Sequence, residues 1–495
     1  MSQLQLFGSD LSQNEGQIRI PSITEGIFYA RAKVIRAADS RPRINIENRS
    51  LLAAAGFVPG SFALPITGPD YIYLAHQSRP SANAIKIAPK AYLNRDGTKT
   101  FGGRLDLRRN GIADLFQIDE PVLATYCPSG VLITALPVAK RAQERWRHLV
   151  EAAHRRTIVT ASAYSGICAL DYAAHEGLRL AGFAVTSEFA NDITVDALEA
   201  ARLDNPAGAR RSFGLPIAEL LCLDAPLRHP NILIAGLPCT GATRLNVQTR
   251  SNPEMRHQTA GHQGLHFMQL LSRLEYRPSI ILIENVVEWA SSVACTQLRR
   301  ALEDLGYATL LIGDIRSGCH DLLGSDFGNM ERRRRIALLA CPPELLPHLD
   351  FSLMRKSHAT TTVADIRDPE HTIRASAYTK DPACFARKAQ KRFVNRVLNG
   401  NERSVPVISA HPNKGRVEDP KFNHPTEPGS WRLPTPSEHA RIKGIPPTMI
   451  NSLPSDAAAH RVLGNSVTTG VWTELFRVIG AAISELSRQS RIAQN

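Results

Sequence analysis

The sequence predicts an α/β protein built on a doubly wound, mostly parallel sheet, with a smaller inserted region and a β-rich module ahead of it. Three observations predict it. Beyond residue 157, apolar β-type runs alternate with helical stretches: 157–163 then 170–181, 231–235 then 265–274, and 280–283 then 296–305, with 335–340 as a last run. Strands joined through helices lie parallel and carry helices on both faces. Before 138 the β-type runs are short and broken by Gly, Pro and Asn, which suits a separate module. At 495 residues the chain exceeds one compact core, so two or three domains are expected.

In chain order, residues 1–27 read as a disordered tail. The β-rich module occupies 28–138 and carries an internal repeat. Arg43-Ile44-Asn45-Ile46, a helical stretch, Phe57 and Tyr71-Ile72-Tyr73-Leu74 recur as Arg104-Leu105-Asp106-Leu107, a shorter helical stretch, Phe116 and Val131-Leu132-Ile133. A strand, helix, strand pair of this kind, with its GFVPGSF segment, resembles the AbrB-type DNA-binding modules, which assemble from two chains. An ordinary small barrel is the alternative. Residues 139–156 read as a helical connector with a basic face. The remainder divides into a core over 157–345, an inserted region over 346–430 and a return to the core over 431–495.

Composition narrows the chemistry. Eight cysteines stand without any CxxC pair, which excludes a disulfide framework and a zinc cluster and predicts no metal. The N-terminus is polar, and no apolar run approaches the roughly 20 residues of a membrane span. A cytoplasmic protein without membrane contact is the expectation. The net charge of +13 favours a polyanionic partner.

In a doubly wound sheet, ligands bind beyond the C-terminal strand ends, so the residues that follow the apolar runs are the ones to inspect. Asn231-Ile232-Leu233-Ile234-Ala235-Gly236-Leu237-Pro238-Cys239 delivers a thiol into a Pro- and Gly-flanked loop, where it can act as a nucleophile. Ile280-Ile281-Leu282-Ile283 ends in Glu284-Asn285-Val286, a place where a carboxylate can serve a ring nitrogen. Glu331-Arg332-Arg333-Arg334-Arg335 enters the run that follows it, and strand alternation sends Arg333 and Arg335 to one side. Gly464-Asn465-Ser466-Val467 is read as opening the last helical stretch and offering backbone amides there.

Together, in this order, these segments resemble the DNA cytosine-5 methyltransferase family over roughly 157–340 and 430–485. Pro238-Cys239 matches its Pro-Cys motif, Glu284-Asn285-Val286 its Glu-Asn-Val, residues 331–335 its Gln-x-Arg-x-Arg, and residues 464–467 its Gly-Asn-Ser-Val. Residues 432–446 (RLPTPSEHARIKGIP) match RxLTPxExxRxxGFP. The family's Asp-x-Phe-x-Gly-x-Gly-Gly is matched only in part, by Ser162-Ala163-Tyr164-Ser165-Gly166-Ile167-Cys168-Ala169. Ser162 replaces the Asp, Cys168 and Ala169 replace two glycines, Thr240 replaces a Gln and Glu331 another.

The resemblance implies a Rossmann-like, class I methyltransferase fold, S-adenosyl-L-methionine as cofactor and double-stranded DNA as partner. Restriction or defence proteins that act with it are not readable. It implies catalytic roles for Cys239, Glu284, Arg333 and Arg335, one of the arginines neutralising charge at the base carbonyl. Cofactor contacts fall to Tyr164, Ser165, Gly166, Ile167, Glu188, Phe189, Pro238, Asn465, Ser466 and Val467, and substrate contacts to Thr243, Asn285 and Val286. The acid that reads the adenine amino group is either Glu219 or missing, with Ile217 in its place. Residues 243–264 resemble the loop that closes over a flipped base. Residues 351–430, with 14 Lys+Arg against 8 Asp+Glu, occupy the target-recognition position, where such side chains mix phosphate contacts with base readout. An RNA cytosine-5 methyltransferase and an inactive DNA-binding regulator are the alternatives.

Overall fold

The computed structural model describes residues 19–238, 262–274, 276–313, 321–379, 396–412 and 419–492. Cys239, Thr240 and Thr243, with nearly all of the expected base-closing loop, lie outside these residues. The chain divides into two compact units, Met1–Lys140 and Arg141–Asn495.

In the first unit the strands are β1 (Phe28–Arg36), β2 (Pro42–Ile46), β3 (Phe62–Thr67), β4 (Tyr71–Gln77), β5 (Ile85–Lys86), β6 (Ala88–Leu93), β7 (Lys99–Arg108), β8 (Pro121–Cys127) and β9 (Gly130–Ala135), with helix α1 (Arg49–Ala54) after β2. They form one antiparallel sheet in the order β5-β3-β4-β9-β8-β1-β2-β7-β6. The repeated segments pair with each other: Ile44 faces Leu107 and Ile46 faces Leu105, while Ile72 faces Ile133 and Leu74 faces Val131. Phe57 and Phe116 enter one shared core. Both copies of the repeat thus lie in a single chain and complete one sheet between them.

The second unit begins on α2 (Pro137–Arg155). The expected connector is built into this unit: Arg145 is 2% exposed, donates to the carbonyl oxygens of Leu305 (2.9 Å) and Gly306 (3.2 Å), and stacks over Tyr307. There follow β10 (Thr157–Ala163), α3 (Ala169–Leu180), β11 (Ala184–Asn191), α4 (Val195–Asp204), β12 (Arg211–Phe213), α5 (Ile217–Cys222), β13 (Ile232–Gly236), α6 (Gln263–Arg273), β14 (Ile280–Asn285), α7 (Val293–Asp304), β15 (Ala308–Ile312), β16 (Leu322–Leu323) and β17 (Arg334–Cys341). The sheet runs β12-β11-β10-β13-β14-β17-β15, with β16 paired to β17. The first five strands are parallel, and β17 is antiparallel to both neighbours. The sheet is therefore mixed. The sheet expected to be mostly parallel is thus parallel over its first five strands only, and the separate β-rich module expected ahead of it is an antiparallel sheet.

Alternation along β14 shows why helices cover both faces. Ile280 and Leu282 enter the core containing α3, whereas Ile281 and Ile283 enter the opposite core, under α6 and α7. The remaining elements are α8 (Val363–Ile366), β18 (Val397–Leu398), β19 (Lys421–Asn423), β20 (Trp431–Arg432), α9 (Pro436–Ile442), α10 (Asp456–Asn465) and α11 (Thr469–Ile492). α11 returns to the sheet, placing Trp472, Leu475 and Phe476 in the core with Ala173, Ala174 and Leu178 of α3. β18, β19 and β20 form a small separate sheet over a core of Val363, Leu398, Val405 and Phe422.

Burial of ionisable groups sets the acid response of this unit. Burial pushes His175 and His229 down to about 4 and His439 well below its ordinary value. Burial pushes Asp171 up to about 6, against the opposing Ser162 hydroxyl and its own backbone N–H. Near pH 5 the unfolded chain therefore binds more protons than the folded one at the histidines and fewer at the aspartate, and the histidines outnumber it. Stability should fall as the pH is lowered from 6.5 toward about 4. Thermal melts across this window test it, and His175→Gln should flatten the decline.

Candidate active site

A cavity of about 800 Å³ opens at the C-terminal ends of β10, β13 and β14. β10 runs into a tight turn in which Tyr164 and Gly166 both take left-handed backbone conformations, at φ 56° and 53°. Ser165 Oγ donates to the Asn191 carbonyl (3.1 Å), and the Gly166 N–H donates to Asp192 Oδ2 (2.8 Å). Cys168 also sits at φ 56°, where the family pattern has glycine; a side chain there costs about 1–2 kcal/mol. Asn205 holds the turn from below, donating to the carbonyls of Ile167 (3.0 Å) and Cys168 (2.9 Å). Tyr164, Ser165, Gly166 and Ile167 all line the cavity, and the Tyr164 hydroxyl lies 2.9 Å from Gln263 Oε1.

Two of the expected cofactor contacts lie away from the cavity. Glu188 pairs with Arg210 (2.8 Å) and Arg211 (3.2 Å), and Phe189 is fully buried against Phe213. Neither lines the cavity; of the acids that do, Asp192 is the one that follows β11. The reason is that β11 does not end at Glu188 but continues to Asn191. An irregularity between Thr160 and Ser162 gives β11 one extra residue, so that Asn191, opposite Ala163, closes the strand. Asp192 is the first residue beyond that end, where strand-end reasoning would have found it. Glu219 is exposed on α5, Ile217 is buried, and neither reaches the cavity.

On the other side of β10, Gly236, Leu237 and Pro238 line the cavity up to the edge of the described residues. β14 delivers Glu284 beside them, and Arg335 of β17 meets it with Nε 2.8 Å from Oε1. The carboxylate expected at this strand end is therefore held in an ion pair. Asn285 does not line the cavity. It is buried, its side-chain amide donates to the Leu237 carbonyl (3.3 Å), and it ties the end of β14 to the segment that leads to Cys239. Val286 lines the wall.

The arginine run divides as alternation requires, with Arg332 and Arg334 exposed, Arg333 buried and Arg335 at Glu284. Arg333 donates to the Gly464 carbonyl (3.1 Å) and so holds the 464–467 turn. That turn does not open the last helix as expected. Gly464 and Asn465 finish α10, Ser466 follows, and α11 begins at Thr469. Gly464 permits close packing, because a Cβ there would stand 2.3 Å from Ala410 Cα. Asn465, Ser466 and Val467 line the cavity, as do residues 407–411 from the inserted region, which the sequence reading left out.

Two further departures have structural explanations. Glu331 is fully buried, 2.7 Å from the equally buried Lys443 Nζ, and accepts the Ile408 N–H at 2.9 Å. Burial raises its proton affinity, but the Lys443 ammonium, the Arg333 guanidinium and the Ile408 N–H together outweigh burial and hold it low. Residues 432–446 form a scaffold: Thr435 caps α9 with Glu438 in a reciprocal box, and Arg432 pairs with Glu438 at 2.6 Å while both are buried. In the inserted region, Arg367 bonds the Asn423 carbonyl (3.0 Å) and Lys421 is buried against the Asp419 carbonyl (2.8 Å). These two are structural cations; Arg355, Lys356, Arg374 and Arg403 are exposed. Among the described residues, no group of acidic, His and Cys side chains could hold a metal, and no helix is long and apolar enough to cross a membrane.

Comparison with known proteins places these features. The chain is 28% identical over 276 residues to the type II methyltransferase M.NlaX of Neisseria lactamica, an alignment covering 53% of this chain and 80% of that protein. Among solved structures, the methyltransferase EhMeth of Entamoeba histolytica aligns with TM-score 0.48 at 17% identity, over 65% of this chain and 98% of its own. The Dnmt2 methyltransferase of S. pombe aligns with TM-score 0.46 at 18% identity, over 68% and 99%. The C-5 cytosine-specific DNA methylase family model matches residues 223–481, starting after the divergent turn at 162–169. On that match, which covers β13, β14, β17 and the 464–467 turn, the chain belongs to the C-5 cytosine-specific DNA methylase family.

Proposed function

We propose that this chain transfers a methyl group from S-adenosyl-L-methionine to carbon 5 of cytosine in double-stranded DNA, with Cys239 as nucleophile. The observation that carries the reading is the Glu284–Arg335 pair, on the wall of the cavity lined by the 164–167 turn and by Pro238, next to Cys239. The cavity suits the cofactor in size, since small-molecule sites run from about 300 to 1,000 Å³. Gly166 leaves open space above the turn, Asp192 offers a carboxylate to ribose hydroxyls, and Tyr164 an aromatic face to adenine. When bound, the cofactor supplies the methyl group.

The protein's own groups do the rest. A cytosine must leave the duplex to reach this cavity, at a cost of a few kcal/mol offset by pocket contacts. Cys239 thiolate forms a bond to carbon 6, which makes carbon 5 nucleophilic. Glu284 holds the ring nitrogen and the exocyclic amine, while Arg335 neutralises charge developing near the carbonyl. Arg333, committed to Gly464, positions the far wall. Loss of the carbon 5 proton then breaks the sulfur–carbon bond and frees the thiolate.

DNA is favoured over RNA by the relative M.NlaX, a type II methyltransferase, while the net charge of +13 suits either nucleic acid. Incubation with methyl-labelled cofactor and either duplex DNA or total RNA tests the choice. Label should enter the duplex as 5-methylcytosine; label confined to RNA would reverse the substrate assignment.

A further inference from the structure

Asp171 is 1% exposed, yet it lines the cavity in the first turn of α3. Neither carboxylate oxygen makes a hydrogen bond of ordinary geometry, and neither has a cation partner, among the described residues. The neighbouring Ser162 hydroxyl is engaged with Ser165 Oγ at 2.8 Å. An acid in a first helical turn is ordinarily explained by the helix dipole or by capping of free N–H groups. Such an acid is solvated or well hydrogen-bonded, whereas Asp171 is buried and has only the Ser162 hydroxyl and its own N–H nearby to ease its charge. A buried carboxylate without a partner is costly, and the usual resolution is a cation.

The sequence around it shows where that cation belongs. Ser162 stands at the end of β10, where the family pattern carries Asp. The acid missing there reappears one turn into the next helix, on the same cavity wall. Asp192 lines that wall too, and after burial itself these two carboxylates are the main influences pushing the Cys168 thiol up. The turn therefore presents negative charge to the cavity.

We infer that Asp171 is the counter-ion for the α-ammonium group of the cofactor's amino-acid portion, a carboxylate relocated from position 162 to the first turn of α3. This inference rests on the cofactor reading above. In it, Asp171 accepts one or two charge-assisted hydrogen bonds from the ammonium, Ser162 remains a neutral neighbour, and the adenosine portion lies toward Tyr164 and Asp192.

Calorimetry at pH 8, where Asp171 is ionised, tests it with two probes: S-adenosylhomocysteine, which has the amino-acid portion, and 5′-methylthioadenosine, which lacks it. Asp171→Asn should weaken the first by about 10- to 100-fold, as for a hydrogen bond to a charged group, and leave the second within about twofold. The ligand-free variant should melt no lower than the parent, since it sheds an unpartnered buried charge. Ser162→Asp combined with Asp171→Asn should restore most of the lost affinity. Undiminished binding of S-adenosylhomocysteine by Asp171→Asn, an equal loss for both probes, a lower melting point, or no recovery in the double variant would each overturn the inference while leaving the cofactor reading intact. Failure of the unmodified protein to bind either probe would overturn the cofactor reading and this inference with it.

Discussion

Replacing Glu284 by Gln is expected to slow methyl transfer by about 10²- to 10⁴-fold, the range contributed by a positioned proton donor or acceptor. Gln keeps the shape and one acceptor oxygen but cannot exchange a proton with the ring nitrogen. It also leaves the Arg335 guanidinium, 2.8 Å away in the native protein, without its anionic partner. Affinity for duplex DNA should stay within about twofold, because backbone contacts elsewhere dominate binding. Initial rates with labelled cofactor, alongside equilibrium binding to duplex, separate the two effects. A variant that retains a third of the native rate would remove Glu284 from the chemistry.

The second large effect concerns stability. Lys443→Met leaves Glu331 fully buried without its cation, and breaking a buried pair from one side costs about 3–5 kcal/mol. Urea unfolding of the variant should show a loss of this size. Adding Glu331→Gln should recover most of it, because an uncharged pair of similar volume carries no desolvation penalty and Gln still accepts the Ile408 N–H. The family pattern itself has Gln at 331, so the double variant restores its residue there. Additive losses in the double variant would show that the two residues do not act together.

Much of this architecture was legible because strand-end chemistry follows from local pattern. Four aliphatics ending in Glu284, and an apolar run ending in Pro238-Cys239, announce buried parallel strands that discharge into a cleft. The alternation of Arg332 to Arg335 announced which pair turns inward. What the sequence hid was register. β11 runs on past Glu188 to Asn191 and carries one extra residue opposite β10, a shift in register to which periodicity is blind. Long-range pairings were equally hidden. Nothing local marks Lys443 as the partner of Glu331, 112 positions away, or Arg145 as a buried cation on the Leu305 and Gly306 carbonyls. In the first unit, the repeat was visible as two matching segments. The pairing of each segment with its own copy, β2 with β7 and β4 with β9, needed the fold.

The most direct measurement of the central claim is covalent trapping at Cys239. In a duplex carrying 5-fluorocytosine at the target, the thiolate still adds to carbon 6 and carbon 5 still accepts the methyl group. Fluorine cannot depart as the proton does, so elimination stalls and the protein stays attached. Native protein should form this adduct only when S-adenosyl-L-methionine is present. Cys239→Ser should form none and transfer no methyl group, because a hydroxyl is far less ionised than a thiol at neutral pH, while still binding the duplex. An adduct that persists in Cys239→Ser, or methylation by that variant at the native rate, would contradict the assignment of Cys239 as the nucleophile.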